Sequence, residues 1–219
     1  MIECVLFDLD GTIVNTNELI LNSFMHALKE NNLPVLTREQ IIPLMGTTLQ
    51  QQLGAFSGLE PKDIEVLERS YRSYNNAHHD ELVRSFPDVN ETMEELQRRG
   101  IKLGVVTTKI RPNTLKSLEM FDLLKYMETI VTVNDVTHPK PHPEPVLTAV
   151  ANLGVDPAKT LMVGDSAVDI QSAKAAGVRV AAVAWSLKGE AVLRTYEPDY
   201  IIQEMKDLYS IVEQETMQP

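Results

Sequence analysis

The stretch FDLDGT, residues 7–12, closes an apolar run, IECVLFDL at residues 2–9, of the kind that forms a buried strand. Side chains alternate along a strand, so Asp8 and Asp10 are expected on one face. Two like charges about 4 Å apart at an effective dielectric of about 20 repel by ~4 kcal/mol. Three arrangements relieve that repulsion: one Asp is protonated, the pair caps a surface turn, or a cation sits between the carboxylates.

Five more short apolar segments follow, at residues 102–107 (KLGVVT), 129–133 (TIVTV), 160–163 (TLMV), 178–184 (VRVAAVA) and 200–202 (YII). Helical patterns separate most of them. ETMEELQRRG (91–100), PEPVLTAVANLG (143–154) and SAVDIQSAKAAG (166–177) each stop on Gly. This rhythm predicts an α/β fold, a Rossmann-like doubly wound parallel sheet with helices on both faces. One interval breaks the rhythm. Between Leu9 and Lys102 no strand is expected, and residues 17–30, 38–45, 48–56 and 62–76 read as helical. The expected organisation is therefore a core of residues 1–14 and 84–219 with a helical insertion at 15–83. Rooted at the end of the first strand, that insertion overhangs the crevice where such sheets bind ligands, as a lid does.

Composition narrows the functional classes. The 219-residue chain is 43% hydrophobic, with 20 Lys plus Arg against 31 Asp plus Glu, a net charge of −11. Nucleic acid and anionic membrane surfaces are poor partners for such a chain. The single cysteine, Cys4, forms no internal disulfide and reads as a small buried thiol. No apolar stretch approaches the ~20 residues that span a bilayer, and Met1 runs straight into the first strand, so a cytoplasmic protein is expected. A monomer or weak dimer is expected.

The strand ends carry the chemistry. The first ends in Asp8 and Asp10, the second in Thr107, Thr108 and Lys109. The third leads into HPKPHPEP with Lys140, and the fourth ends in GDSAVD with Asp165 and Asp169. In a parallel sheet these ends share one edge. Singly, each has an ordinary reading: Asp10-Gly11 as a turn, Asp165-Ser166 as a helix cap, Asp169 as a dipole-favoured acid, Lys140 as a loop lysine. Four independent caps do not explain acids gathered at one edge. Four carboxylates exceed what Lys140 neutralises, and hard oxygen donors suit Mg²⁺, so a cation is the expected resolution. A phosphoryl group there needs hydroxyl and N–H donors as well, which Thr107 and the amides at Thr108 and the next helix start supply.

DxDGT (residues 8–12), a strand ending in Thr107, KPxPEP (140–145) and GDxxxD (164–169), in this order, resemble the haloacid dehalogenase superfamily of phosphohydrolases, and the helical insertion resembles its C1 cap. The resemblance covers essentially the whole chain. It implies Asp8 as a nucleophile forming an aspartyl-phosphate, and Asp10 as general acid and then base. It implies Mg²⁺ held by Asp8, Asp165 and the Asp10 carbonyl, with Asp169 acting through water or orienting Asp165. Thr107 and Lys140 would grip the transferring group. NTNELI, VVTTK, HHDELV, KPxPEPV and VAWSLKG are most similar to bacterial PpaX-type inorganic pyrophosphatases. His142 and Pro139 depart from the usual KPDPE pattern around the lysine.

Pyrophosphate brings extra charge, so Lys109, Arg111 and His78 are expected candidates for its distal phosphate, beside Thr108. Gly46, in GTTL, falls where this cap type places its specificity loop. The alternatives are 2-phosphoglycolate or another small phosphomonoester as substrate, phosphosugar mutation as by β-phosphoglucomutase, and, more distantly, a non-enzymatic phosphoaspartate switch. The switch predicts a compact domain of about half this length with no lid.

Overall fold

The computed structural model describes residues 1–214. In chain order its strands are β1 (Cys4–Phe7), β2 (Val14–Asn15), β3 (Arg84–Ser85), β4 (Lys102–Val106), β5 (Thr129–Val131), β6 (Thr160–Gly164), β7 (Arg179–Val183) and β8 (Tyr200–Ile202). The helices are α1 (Asn17–Glu30), α2 (Arg38–Ile41), α3 (Leu49–Ser57), α4 (Pro61–Leu82), α5 (Val89–Arg98), α6 (Arg111–Met120), α7 (Glu144–Leu153), α8 (Ala167–Ala175), α9 (Glu190–Arg194) and α10 (Asp207–Gln214).

Six strands form one sheet in the order β5-β4-β1-β6-β7-β8, every neighbouring pair parallel. The chain steps outward from β1 through β4 to β5, then crosses back to β6 on the other side. The strand order thus reverses between β1 and β6, and the ligand crevice opens beyond their carboxyl ends. Both faces of β1 are buried, which is why it reads as a continuous apolar run. Val5 and Phe7 join the layer completed by Val89, Met93 and Leu96 of α5 and Leu208 of α10. Cys4 and Leu6 join the opposite layer with Val146 and Val150 of α7 and Ile170 of α8. Burial pushes the Cys4 thiol up to about 12, so it is an unreactive core group.

Helices α1 to α4 lie between β2 and β3 and bury an apolar cluster of their own, with Leu21, Phe24, Ile41, Leu53 and Leu67 at its centre. Two corrections to the sequence expectation follow. The chain enters and leaves this helical segment through a two-stranded antiparallel ribbon, Val14 opposite Ser85 and Asn15 opposite Arg84. Two residues per strand, with Arg84 and Ser85 exposed, give no periodic pattern to read. Helix α4 also continues past the expected end at Asn76, through His78 and His79 to Leu82, although His is a weak helix former. Tertiary partners override the propensity: buried Asn75 donates to Ser23 Oγ of α1 at 3.2 Å, and buried His79 bonds Ser117 Oγ of α6 at 2.9 Å.

Candidate active site

Strand β1 stops at Phe7, so Asp8 and Asp10 lie beyond the pleat and the expected alternation does not relate them. A tight turn follows. Gly11 N–H donates to the Val14 carbonyl at 2.9 Å, and Gly11 adopts φ +80°. A side chain there would meet Asp165 Oδ2 at 2.8 Å, so both backbone conformation and space require glycine.

Each acid of the pair meets its own lysine. Lys140 is 1% exposed, and its ammonium donates to Asp8 Oδ1 at 2.7 Å, Asp169 Oδ1 at 2.6 Å and the Val106 carbonyl at 2.9 Å. Lys109 donates to Asp10 Oδ1 at 2.7 Å. A third cation, Lys188, stands 3.5 Å from Asp165 Oδ2. From the sequence, Lys140 alone is expected to face four carboxylates. Three lysines against the same four acids leave a single negative charge, so the repulsion at FDLDGT is relieved in large part by the protein itself.

Burial nevertheless dominates the acids that remain. Desolvation pushes the Asp8 carboxyl well above the usual carboxylate range, against the pull of Lys140, and raises Asp165 against the pull of Lys188. Burial works against the charge on Lys140, but Asp169 and Asp8 outweigh it and raise its pKa. Asp169 has both oxygens engaged: Oδ1 takes Lys140, and Oδ2 accepts from Ser166 N at 3.0 Å and Ser166 Oγ at 2.5 Å. Gly164 makes this packing possible, since a Cβ there would sit 2.4 Å from the Asp169 Cβ.

Oxygens of Asp8, Asp165 and Asp169 lie within 4.8 Å of one another. Buried carboxylates driven toward protonation form a donor set that a hard divalent cation fits, because the cation restores their charge. With Asp169 committed to Lys140 and Ser166, Asp8 and Asp165 are the acids best placed to turn toward such an ion.

Asp8, Asp10 and Asp165 line a cavity of about 610 Å³. Its floor carries Asp8, Asp10, Thr107, Thr108, Lys109 and Asp165; its roof carries Gly46 and Thr47 with Tyr71, Arg72 and Asn75 of α4. Roof and floor touch. Thr108 Oγ1 donates to the Gly46 carbonyl at 3.0 Å, and a Cβ on Gly46 would strike Ser166 Oγ at 2.7 Å. Thr107 Oγ1 accepts from Lys109 N–H at 3.1 Å, which orders the loop after β4.

The structure thus gathers Asp8, Asp10, Thr107, Thr108, Lys109, Gly46, Lys140, Asp165 and Asp169 in one place. Arg111 and His78 are not brought to the cavity lining. Arg111 is tied to Asp135 at 2.7 Å and to the Ile130 carbonyl at 2.9 Å. His78 is half-buried on α4, stacked on Tyr74 and 3.3 Å from Glu81. Two cations went unread. Lys188 lies just past β7, at the same sheet edge as the motifs, so the strand-end rule reaches it. Arg72 shares a helical face with Glu68 and Asn75, a spacing that falls within the helix expected at 62–76.

The comparisons with known proteins agree with this geometry. Residues 5–183 match the family model of haloacid dehalogenase-like hydrolases. Pyrophosphatase PpaX of Anoxybacillus flavithermus is 43% identical over 96% of this chain and 97% of its own. Pyrophosphatase PpaX of Bacillus cereus is 44% identical, covering 96% of each. Among solved structures, a predicted phosphoglycolate phosphatase from Haemophilus somnus superposes with a TM-score of 0.86 at 27% identity, covering 96% of this chain and 97% of that one. A haloacid dehalogenase-like family hydrolase from Streptococcus pneumoniae gives 0.83 at 25%, covering 96% and 98%.

Proposed function

The chain belongs to the haloacid dehalogenase-like hydrolases, and from that premise we propose that it is an inorganic pyrophosphatase, using Mg²⁺ and an aspartyl-phosphate on Asp8. The observation that carries this reading is Asp8, at the floor of the roofed cavity, backed by the buried Lys140 ammonium. The 43–44% identity to pyrophosphatases favours pyrophosphate over other phosphoryl donors.

In this reading Asp8 attacks the nearer phosphorus while Asp10 gives a proton to the departing phosphate. Water then attacks the aspartyl-phosphate, Asp10 takes its proton, and the second phosphate leaves with Asp8 restored. Lys140, held by Asp8 and Asp169, draws the transferring oxygens toward the nucleophile, and Thr107 with the amides after β4 adds donors. Asp8 and Asp165, with the Asp10 carbonyl, would hold Mg²⁺, which supplies charge neutralisation of the phosphoryl oxygens when bound. Lys109 passes from Asp10 to the distal phosphate, releasing the Asp10 carboxylate to carry its proton. Arg72, the roof cation, meets that phosphate from above. The helical segment is the lid, hinged on the β2–β3 ribbon and latched by Thr108 on Gly46.

The fold carries the whole roofed crevice, which the phosphoaspartate switch does not need. No helix among the described residues is long and apolar enough to cross a membrane. A second reading, a small organic phosphomonoester such as 2-phosphoglycolate, is favoured by the structural likeness to the Haemophilus somnus protein at lower identity. Phosphate release with Mg²⁺ from pyrophosphate, 2-phosphoglycolate and β-glucose-1-phosphate, with Asp8→Asn as blank, decides between them. The expected result is preference for pyrophosphate, abolished in the variant. Preference for an organic ester keeps the mechanism and moves the substrate; equal release by Asp8→Asn sinks the nucleophile.

A further inference from the structure

The loop that delivers Lys140 carries a second set of ligands on its opposite side. In HPKPHPEP the lysine turns inward, 1% exposed, while the side chains of His138 and His142 stand 62% and 50% exposed and that of Glu144 30%. A nitrogen from each imidazole and a Glu144 oxygen all lie within 4.8 Å of one another. His138 Nδ1 is 2.9 Å from Glu144 Oε2, and His142 Nδ1 is 4.0 Å from the same oxygen. A tetrahedral ion with bonds of about 2.0–2.1 Å spaces its ligands about 3.3 Å apart, between those two distances. Small turns of exposed side chains close the difference.

The set is also held in place. Backbone N–H groups of Thr137 and His138 donate to the two Glu144 oxygens at 2.8 and 2.9 Å, and Ser172 Oγ donates to the His142 carbonyl at 2.7 Å. Pro139, Pro141 and Pro143 fix φ at alternate positions, so little backbone freedom remains to be lost. Glu144 N–H donates to His142 Nδ1 at 3.2 Å, which orients that ring against the first turn of α7. The rings of His138 and His142 face each other with centroids 4.7 Å apart.

The geometry points to a metal site at His138, His142 and Glu144 for a borderline first-row cation, Zn²⁺ in the first instance. Two imidazoles and one carboxylate suit Zn²⁺ and disfavour Mg²⁺, which prefers oxygen ligands alone. Three protein ligands leave room for water, so the site is an exchangeable one. Bound there, Zn²⁺ ties the Lys140 loop to the first turn of α7 from the solvent side. This site stands independently of the substrate reading above, since none of its residues lines the cavity.

The test is a titration of the full chain with ZnCl₂ in excess Mg²⁺, which keeps the carboxylates at Asp8 and Asp165 occupied. Long-range ¹H–¹⁵N spectra report each of the five histidines. The expected result is that His138 and His142 shift within one equivalent while His26, His78 and His79 stay. His142→Ala, at an exposed position, should keep Mg²⁺-dependent phosphate release and bind Zn²⁺ at least tenfold more weakly, because it removes a direct ligand. Unmoved His138 and His142 resonances, or equal Zn²⁺ affinity in a His138→Ala/His142→Ala double variant, would overturn the assignment.

Discussion

Lys140→Met removes one charge from the centre of the candidate site and keeps much of the side-chain volume. At 2.7 and 2.6 Å from Asp8 and Asp169, each attraction is about 6 kcal/mol at an effective dielectric of about 20. Desolvation of the fully buried ammonium offsets most of that gain. What the variant exposes is the cost of two buried carboxylates without their cation, about 3–5 kcal/mol. With an m-value of about 2–3 kcal/mol/M, the urea midpoint of the metal-free protein at pH 8 should fall by roughly 1.5 M. The sign of the pH dependence follows from burial. The Asp8 pKa is already raised in the folded state and rises further without Lys140, so the native variant binds a proton that the unfolded chain releases near pH ~4. The variant's stability is therefore greatest below that range and is lost as pH rises toward the folded value. The deficit against wild type should be smaller at pH 5 than at pH 8. Urea denaturation in EDTA at both pH values is the assay. A midpoint within about 0.3 M of wild type at pH 8, or a deficit that grows on acidification, would refute the picture of Lys140 as the internal counter-ion.

Arg72, held by Glu68 at 2.9 Å in the roof, should read the second phosphate. Arg72→Gln is expected to raise KM for pyrophosphate roughly 10- to 100-fold, the worth of a charge-assisted hydrogen bond of about 1.5–3 kcal/mol, while changing kcat/KM for methyl phosphate by less than about threefold. Steady-state kinetics on both substrates decide, and an equal fall on both would remove Arg72 from substrate recognition. Mg²⁺ should stabilise the fold in competition with protons, because burial raises both Asp8 and Asp165. At 100 times its Kd the ion adds about 2.7 kcal/mol, a Tm rise of roughly 5–10 °C at pH 8, and clearly less at pH 5. A Mg²⁺ shift equal at the two pH values in thermal melts would contradict that donor set.

The reading of the sequence went furthest where the signal was local. β1, β4, β6 and β7 announce themselves as apolar β-branched runs because both faces are buried, and α1 begins and ends where its pattern does. It failed where a partner from elsewhere decides. α4 outlasts its expected end at Asn76 because Ser117 satisfies buried His79 in the continuation. The β2–β3 ribbon is legible only once its halves, some seventy residues apart in the chain, are paired.

By itself the sequence determined the order of the motifs and, through the parallel-sheet rule, that Asp8, Thr107, Lys140 and Asp165 share an edge. Strand ends are fixed by local patterning, and right-handed crossovers leave few ways to arrange them. Only the tertiary structure decided the charge balance. Lys109 and Lys188 reach Asp10 and Asp165, whereas Arg111 turns to Asp135 and His78 to Tyr74 and Glu81. Long side chains span several ångströms, and which acid each one finds depends on packing between segments that the sequence keeps apart.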